Sequence, residues 1–340
     1  TYEQAGVIYC TVPKAGSTFW KRIFIAVNSK VCTWFVCFSM SREEVHSPNH
    51  RAAQEGNTNF TKYPIRLVVT RDPYSRLLSA YLDKLYLPAL WSLHGVAIAK
   101  KRYQHSLSNR RQDFLRKHFN EIAKVFDNNS SKSKCGKYVT FSEFVESSFR
   151  IYDKHWWPVH KICNPCKFKP THIIRMETFS ADAKVILSHM KVENIVQRLE
   201  GSAQIDEEIN IISYFNFHRF YRNFTLAFYK PCLSPKEIAY RLWYNFRWRG
   251  YIDPDVDYKL PELTDLKDIE EDFMVQVRAA RKSGLQNPNR MKAAKNEFRK
   301  KVFLSLSKAI FEKISQVYAM DFELYGFTDI RDELYAYYSS

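Results

Sequence analysis

Glycine is scarce in this chain, nine residues in 340. That excludes a collagenous repeat, a low-complexity segment and an array joined by Gly-rich linkers. No internal repeat is visible. The sequence also lacks a long uninterrupted apolar run. Its most apolar stretch, residues 23–40, is broken by Asn28, Ser29 and Lys30, and is expected as a buried helix followed by a strand or loop rather than a membrane span. No signal-peptide pattern opens the sequence, so any membrane anchor is expected upstream of it. Acidic residues are in deficit, 36 against 52 basic, for a net charge of +16. Such a surplus serves solubility or an anion-binding face; the anions it admits are nucleic acid, anionic membrane, acidic polysaccharide and a phosphorylated cofactor.

What is present suits a packed chain. A hydrophobic share of 45% and an aromatic share of 16% can build the core of one large domain or two smaller ones. The seven cysteines are Cys10, Cys32, Cys37, Cys135, Cys163, Cys166 and Cys232. An odd number leaves at least one thiol outside any intrachain disulfide. Asn-x-Ser/Thr sequons stand at Asn59, Asn128, Asn129 and Asn223. With the cysteines they favour a secretory lumen over the cytosol, and so speak against a nucleic-acid partner that the charge alone would admit.

The pattern along the chain alternates strands with helices. Residues 7–12 are β-rich, PKAGST follows as a turn, and from Thr18 the residues Phe19, Trp20, Ile23, Phe24 and Val27 recur at helical spacing. Residues 41–62 are polar and expected as loop. Ile65–Thr70 is a second apolar strand. Asp72 before Pro73 predicts a capped helix start, and Leu77, Leu78, Tyr81, Leu82 and Leu85 continue that helix. A basic stretch, 100–137, is expected as helix and then exposed loop, and 141–149 as a short helix. Residues 155–170 hold three prolines and two cysteines and are expected to be irregular and cross-linked. A third β-like run, 171–175, precedes a helix over 181–192. Residues 213–290 are mixed, and 291–318 are expected as one long amphipathic helix. The order predicts an α/β fold with a central, largely parallel sheet and helical elaborations.

Two segments carry chemistry. In strand–PKAGST–helix, the helix N-terminus offers backbone N–H groups and a positive dipole end to an anion; Lys14 adds a point charge, and Ser17 and Thr18 add hydroxyls. It is not the Walker pattern, because Lys14 precedes Gly16 rather than following a second glycine. Its plain alternative is an ordinary β–α turn with a solvated lysine. In strand–TRDPYSRLLSAY, Arg71 stands at the carboxyl end of a strand, where open α/β sheets bind ligands, and Ser79 lies about two turns into the next helix. An arginine and a hydroxyl clamp phosphate; the alternative is a structural Arg71–Asp72 pair and a neutral Ser79. Taken together, the two anion sites suit a ligand with two separated phosphate groups, such as 3′-phosphoadenosine 5′-phosphosulfate (PAPS).

These segments resemble the Golgi carbohydrate sulfotransferases. VPKAGSTFWKRIF is similar to their 5′-phosphosulfate loop and TRDPYSRLLSAY to their 3′-phosphate loop. HWWPVHKICNPCKFKPTHIIRMET and QVYAMDFELYGF resemble members of the branch holding the chondroitin and dermatan 4-O-sulfotransferases and the HNK-1 sulfotransferase. The resemblance covers most of residues 7–190 and returns at 300–327. It implies a P-loop-like three-layer fold and one catalytic domain over 1–340: a PAPS-binding core over about 7–192, then an acceptor-side elaboration and closing helix over about 193–330. By the same resemblance, Pro13, Lys14, Ala15, Gly16, Ser17, Thr18 and Phe19 form the phosphosulfate loop, with Lys14 catalytic, and Arg71, Asp72, Pro73, Arg76 and Ser79 the 3′-phosphate segment. Arg76 either supports that site or is solvated. Phe19 departs from the small polar residue expected at its position, and only its backbone N–H is carried over. The implied reaction moves a sulfuryl group from PAPS to a glycan hydroxyl, with the GalNAc 4-OH of chondroitin or dermatan favoured, in the Golgi lumen, with no metal.

A base must accept the hydroxyl proton. His155 is the candidate, against the alternative that it only anchors a Trp-rich turn; His160, Glu177 and Asp83 are its rivals. Cys163-x-x-Cys166 near two histidines admits zinc, but a single CxxC without a partner pair favours disulfides. The rival functions are a P-loop kinase, which needs a Lys-Ser/Thr after the glycine loop, and a non-enzymatic glycosaminoglycan-binding protein, which needs no paired anion loops.

Overall fold

The protein's structure, a computed structural model, describes residues 5–28, 40, 42–45, 59–104, 114–126, 135–192, 203–218 and 231–331. The chain runs β1 (Val7–Cys10), α1 (Ser17–Asn28), β2 (Ile65–Thr70), α2 (Pro73–Tyr81), α3 (Phe114–Phe126), α4 (Phe141–Ser148), α5 (Val159–Cys163), β3 (His172–Arg175), α6 (Phe179–His189), α7 (Ala203–His218), α8 (Pro235–Arg249), α9 (Leu266–Gly284), α10 (Pro288–Phe303) and α11 (Lys308–Tyr325), with further helical segments between them, Val96–Gln104 among them. It divides into two compact units. One comprises residues 1–77, 152–207 and 314–329, the other 78–151, 208–313 and 330–340.

The first unit holds the sheet. Among the described residues it has three strands in the order β1-β2-β3, all parallel, with Val7 opposite Ile65 and Thr70 opposite Arg175. Strands covered on both faces read as continuous apolar runs, and Leu67, Val68 and Val69 of β2 are fully buried. Trp20 and Ile23 of α1 and Ala183, Ile186 and Leu187 of α6 complete this core. Because the strands are parallel, the segments leaving β1, β2 and β3 emerge at one edge. A disulfide between Cys10 and Cys163, Cα–Cα 5.9 Å, ties the end of β1 to the end of α5.

The second unit has helices and connecting segments but no strand among its described residues, and surrounds a buried polar centre. Arg241 of α8 is completely buried. It donates from Nε to Glu237 Oε1 at 2.9 Å, from Nη1 to the Tyr86 carbonyl at 3.0 Å and from Nη2 to the Lys137 carbonyl at 3.3 Å. Lys137 Nζ donates to Glu237 Oε2 and to the Cys232 carbonyl, both at 3.1 Å. The charges are buried but mutually satisfied, the condition under which removing one member costs most. The Cys135–Cys232 disulfide closes the same corner.

The α/β class is as expected, although helices make up most of the described residues. The helix expected over 181–192 is α6, two residues earlier. The polar stretch 41–62 contains the short helix Arg42–Val45 and a 3₁₀ turn at Phe60–Lys62. The single helix expected over 291–318 is two, α10 and α11. Ser305 Oγ donates to the Val302 carbonyl and Ser307 Oγ accepts from the Ile310 amide, so serine side chains compete with the helical ladder at the break. The second half of the 23–40 stretch, Cys32, Cys37 and the sequons at Asn128, Asn129 and Asn223 lie outside the described residues. Asn59 is exposed. Among the described residues no helix is long and apolar enough to cross a membrane.

Candidate active site

The segment after β1 turns through two left-handed residues, Lys14 and Gly16, both at φ 67°. For a lysine this conformation costs roughly 1–2 kcal/mol, and strain of this kind persists where the surroundings impose it. Here the buried Val12 and Ala15 anchor the turn on either side of the half-exposed Lys14. Gly16 is required twice over. It takes the positive φ, and a Cβ would lie 3.2 Å from the Phe179 ring and 3.4 Å from the Met176 sulfur. The turn delivers the chain into α1 at Ser17, so the first-turn amides and the positive helix end lie beside Lys14. The Phe19 side chain packs edge-on against Phe179 at 5.4 Å and Trp20 at 5.8 Å. An aromatic in place of a small polar residue is thus a core contact.

The β2–α2 junction behaves as the Asp-Pro pair predicts. Asp72 accepts from the Ser75 amide at 2.8 Å and the Tyr74 amide at 3.4 Å, capping α2 behind Pro73. Its carboxylate therefore serves the helix end. Arg71 Nη1 donates to the Lys14 carbonyl at 3.4 Å. The Asp72 amide donates to Glu177 Oε1 at 3.3 Å, and the Met176 amide to the Thr70 carbonyl at 2.9 Å. The segments after all three strands thus meet at one edge, with Lys14, Arg71 and Glu177 on it. Ser79 lies further along α2 and is buried.

Arg76 is not solvated. It is 2% exposed, and donates to the carbonyls of Pro13 at 3.1 Å, Trp157 at 2.6 Å and Lys154 at 2.8 Å. The last two flank His155. Burial draws its pKa below the ordinary arginine value, but three carbonyl acceptors favour the charged form. His155 Nδ1 lies 2.5 Å from Asp153 Oδ1. A proton held on Nδ1 by that carboxylate leaves the lone pair on Nε2, the tautomer a base needs.

The rival bases separate by environment. His160 Nδ1 is bound to Asp321 at 2.8 Å, and Asp321 also accepts from the Val159 and His160 amides at 2.6 and 2.9 Å; this histidine holds the turn. Asp83 is buried and paired with Lys84 at 3.2 Å. Glu177 is exposed at the strand edge. The zinc reading of CxxC fails because Cys163 is bonded to Cys10, which leaves Cys166 an exposed free thiol. Among the described residues no group of three or more His, Cys, Asp or Glu could hold a metal.

Three contributors escape a linear reading. Asp153 had a weak signal, an acid two residues before the histidine. Tyr318 and Asp321 of α11 had none beyond their place in the QVYAMDFELYGF ending. Tyr318 donates its hydroxyl to the Trp156 carbonyl.

The parallel sheet thus carries a lysine and an arginine at one edge, with an Asp-paired histidine on a turn that Arg76 bonds to that edge. The model of the sulfotransferase family matches residues 1–216, and the chain belongs to that family. Within it, the chain is similar to carbohydrate sulfotransferases. Carbohydrate sulfotransferase 9 of Homo sapiens is 29% identical over 191 residues, 53% of this chain and 38% of that protein. Carbohydrate sulfotransferase 10 of Rattus norvegicus is 26% identical over 209 residues, 56% of this chain and 51% of that protein. Carbohydrate sulfotransferase 12 of Xenopus laevis is 22% identical over 219 residues, 57% of this chain and 49% of that protein. The chain spans about half the length of the curated relatives it matches. No solved structure matches it.

Proposed function

We propose that the protein is a PAPS-dependent carbohydrate sulfotransferase, with residues 1–340 acting as one catalytic domain on a P-loop-like three-layer core. The observation that carries this reading is the Arg71–Lys14 contact at 3.4 Å, which draws two cationic segments to one sheet edge, as a donor with two phosphate groups demands. The residues fit such a donor: a lysine on a left-handed turn, a helix N-terminus and an arginine at a strand end. PAPS supplies the sulfuryl group, with adenosine 3′,5′-bisphosphate as the leaving group. Lys14 and the amides of Ala15–Thr18 hold the 5′-phosphosulfate, Pro13 and Phe19 bound that turn, and Lys14 neutralises the charge that develops as the sulfur–oxygen bond to phosphate breaks. Arg71 and Ser79 hold the 3′-phosphate, with Asp72 and Pro73 fixing the helix that presents Ser79. His155 Nε2 takes the proton of the acceptor hydroxyl as its oxygen bonds to sulfur. Fixed cations and amides do the charge stabilisation without a metal.

The acceptor in this reading is a glycan, and among glycans an anionic glycosaminoglycan, the GalNAc 4-OH of chondroitin or dermatan. The branch would then be that of the 4-O- and HNK-1 sulfotransferases, and the setting the Golgi lumen, with a membrane anchor upstream and a glycan on the exposed Asn59. The net charge of +16 and exposed cations on α9 and α10, among them Arg278, Lys282 and Lys292, support a polyanionic acceptor. Incubation with labelled PAPS and a panel of glycosaminoglycans and N-glycans, followed by disaccharide analysis, tests both levels. Lys14→Ala should abolish turnover while the fold survives. Wild-type turnover in that folded variant removes the proposal.

A further inference from the structure

We infer that Arg76, Tyr318 and Asp321 form a frame that sets the His155 turn against the Lys14 loop, so that Arg76 is a positioning residue of the transfer and not a ligand of the 3′-phosphate. The inference rests on the sulfotransferase reading and goes beyond it. A guanidinium that clamps a phosphate offers two parallel N–H groups from one open edge. Arg76 presents no such edge to solvent. It is 2% exposed, and Nε, Nη1 and Nη2 each already hold a main-chain carbonyl, of Pro13, Trp157 and Lys154. What it binds is informative. Pro13 opens the phosphosulfate loop, and Lys154 and Trp157 bracket His155. One side chain therefore fixes the loop carrying Lys14 relative to the turn carrying the base.

Helix α11 grips the same turn from its other groups. Tyr318 donates its hydroxyl to the Trp156 carbonyl. The Asp321 carboxylate, 2% exposed, accepts from the amides of Val159 and His160 and from His160 Nδ1. The turn is thus held through its main chain by three buried side chains, and His155 itself is oriented by Asp153. Proton transfer needs heavy atoms within hydrogen-bond reach, and an error of about 1 Å costs on the order of a hundredfold in rate. A frame of this kind acts on kcat more than on donor affinity.

The test separates the two roles of Arg76. Arg76→Lys keeps the charge but reaches at most part of the three carbonyls. Tyr318→Phe removes one hydroxyl and keeps the ring. In both, kcat at saturating PAPS is expected to fall, about tenfold or more for Arg76→Lys and about threefold or more for Tyr318→Phe. The dissociation constant for adenosine 3′,5′-bisphosphate, measured by calorimetry, should stay within about twofold. The acid limb of the kcat–pH profile should also move in Tyr318→Phe, because the turn carrying the base has shifted. A tenfold loss of bisphosphate affinity with kcat retained in Arg76→Lys makes Arg76 a phosphate ligand and overturns the inference. Unchanged kcat in a folded Arg76→Lys or in Tyr318→Phe overturns it as well. Where Arg76→Lys fails to fold, Tyr318→Phe decides on the same split. Failure of the underlying reading shows separately, as wild-type protein that transfers no sulfuryl group to any glycan.

Discussion

The second unit should carry an acid-sensitive element at His118. This residue of α3 is 4% exposed. Its Nε2 lies 3.0 Å from the Tyr86 hydroxyl, and the rings of Tyr244 and Trp248 lie 4.6 and 4.9 Å away, with Tyr240 at 6.2 Å. The Tyr86 hydroxyl, its own pKa pushed far up by burial, stays protonated and shares a hydrogen bond with the neutral imidazole. Burial, reinforced by the Arg241 charge, depresses the His118 pKa to about 3. The unfolded chain, with an ordinary value of about 6.5, therefore takes up the proton first as pH falls. The native state is unaffected above about pH 6.5 and loses stability progressively below it, until both states are protonated near pH 3. Linkage puts the loss at about 2 kcal/mol between pH 7 and pH 5 and about 1.4 kcal/mol for each further unit. The assay is urea unfolding at a series of pH values, comparing the wild type with His118→Gln, which keeps a partner for Tyr86 and does not titrate. The difference between the two curves isolates His118, because the other histidines cancel. Parallel curves from pH 7 to pH 5 would refute the argument.

Arg71→Ala or Ser79→Ala should weaken adenosine 3′,5′-bisphosphate binding by roughly 1.5–3 kcal/mol each, the worth of a charge-assisted hydrogen bond; calorimetry showing unchanged affinity would place the 3′-phosphate elsewhere. Replacing both Cys10 and Cys163 with alanine should cost about 2–5 kcal/mol in urea unfolding, toward the upper end because the bridge closes a separation of 153 residues; an unchanged midpoint would mean that the unfolded chain is not loosened by losing it. For a polyanionic acceptor, the apparent KM for chondroitin should rise steeply from low to physiological salt, where the screening length shrinks to about 8 Å, while that for a neutral oligosaccharide stays nearly level. A flat response with chondroitin would leave sulfuryl transfer standing and remove the glycosaminoglycan acceptor.

The elements that position the candidate site were legible because their signals are local. Strand β2 is a continuous apolar run, Asp72–Pro73 is a cap and first turn read within two residues, and Gly16 marks a left-handed turn crowded by Phe179 and Met176. What was not legible depends on pairing across long separations. Nothing near Cys10 identifies Cys163 as its partner, and nothing near His160 points to Asp321. The break between α10 and α11 was missed because its apolar residues keep helical spacing through the serines that interrupt the ladder. The interior of the second unit was opaque for a related reason. Helix α8 reads PKEIAYRLWYNFRWR, and Glu237 and Arg241 look there like a solvated ion pair. They are buried because Lys137 and two carbonyls complete their bonding.

Arg71 and Arg76 show why the charge of this chain could not be apportioned from composition. They stand in one short segment, TRDPYSR, and a linear reading assigns both to the same phosphate. Arg71 leaves a strand at the sheet edge and is half-exposed, touching a loop carbonyl at 3.4 Å, long enough for a bound anion to compete. Arg76 is one turn inside the helix that Asp72 caps, and rotation about that helix turns it inward onto three carbonyls. An anion could take up this guanidinium only by breaking its bonds to the carbonyls of Pro13, Lys154 and Trp157. The helix start set by Asp72–Pro73 therefore fixes which arginine stands at the strand edge and which is buried against the scaffold. The same reasoning removes Lys137 and Arg241 from the anion-binding surplus, since both are buried and bonded within the fold. The cations that remain accessible on the strand edge and on α9 and α10 are the ones whose salt dependence and alanine variants can report on donor and acceptor.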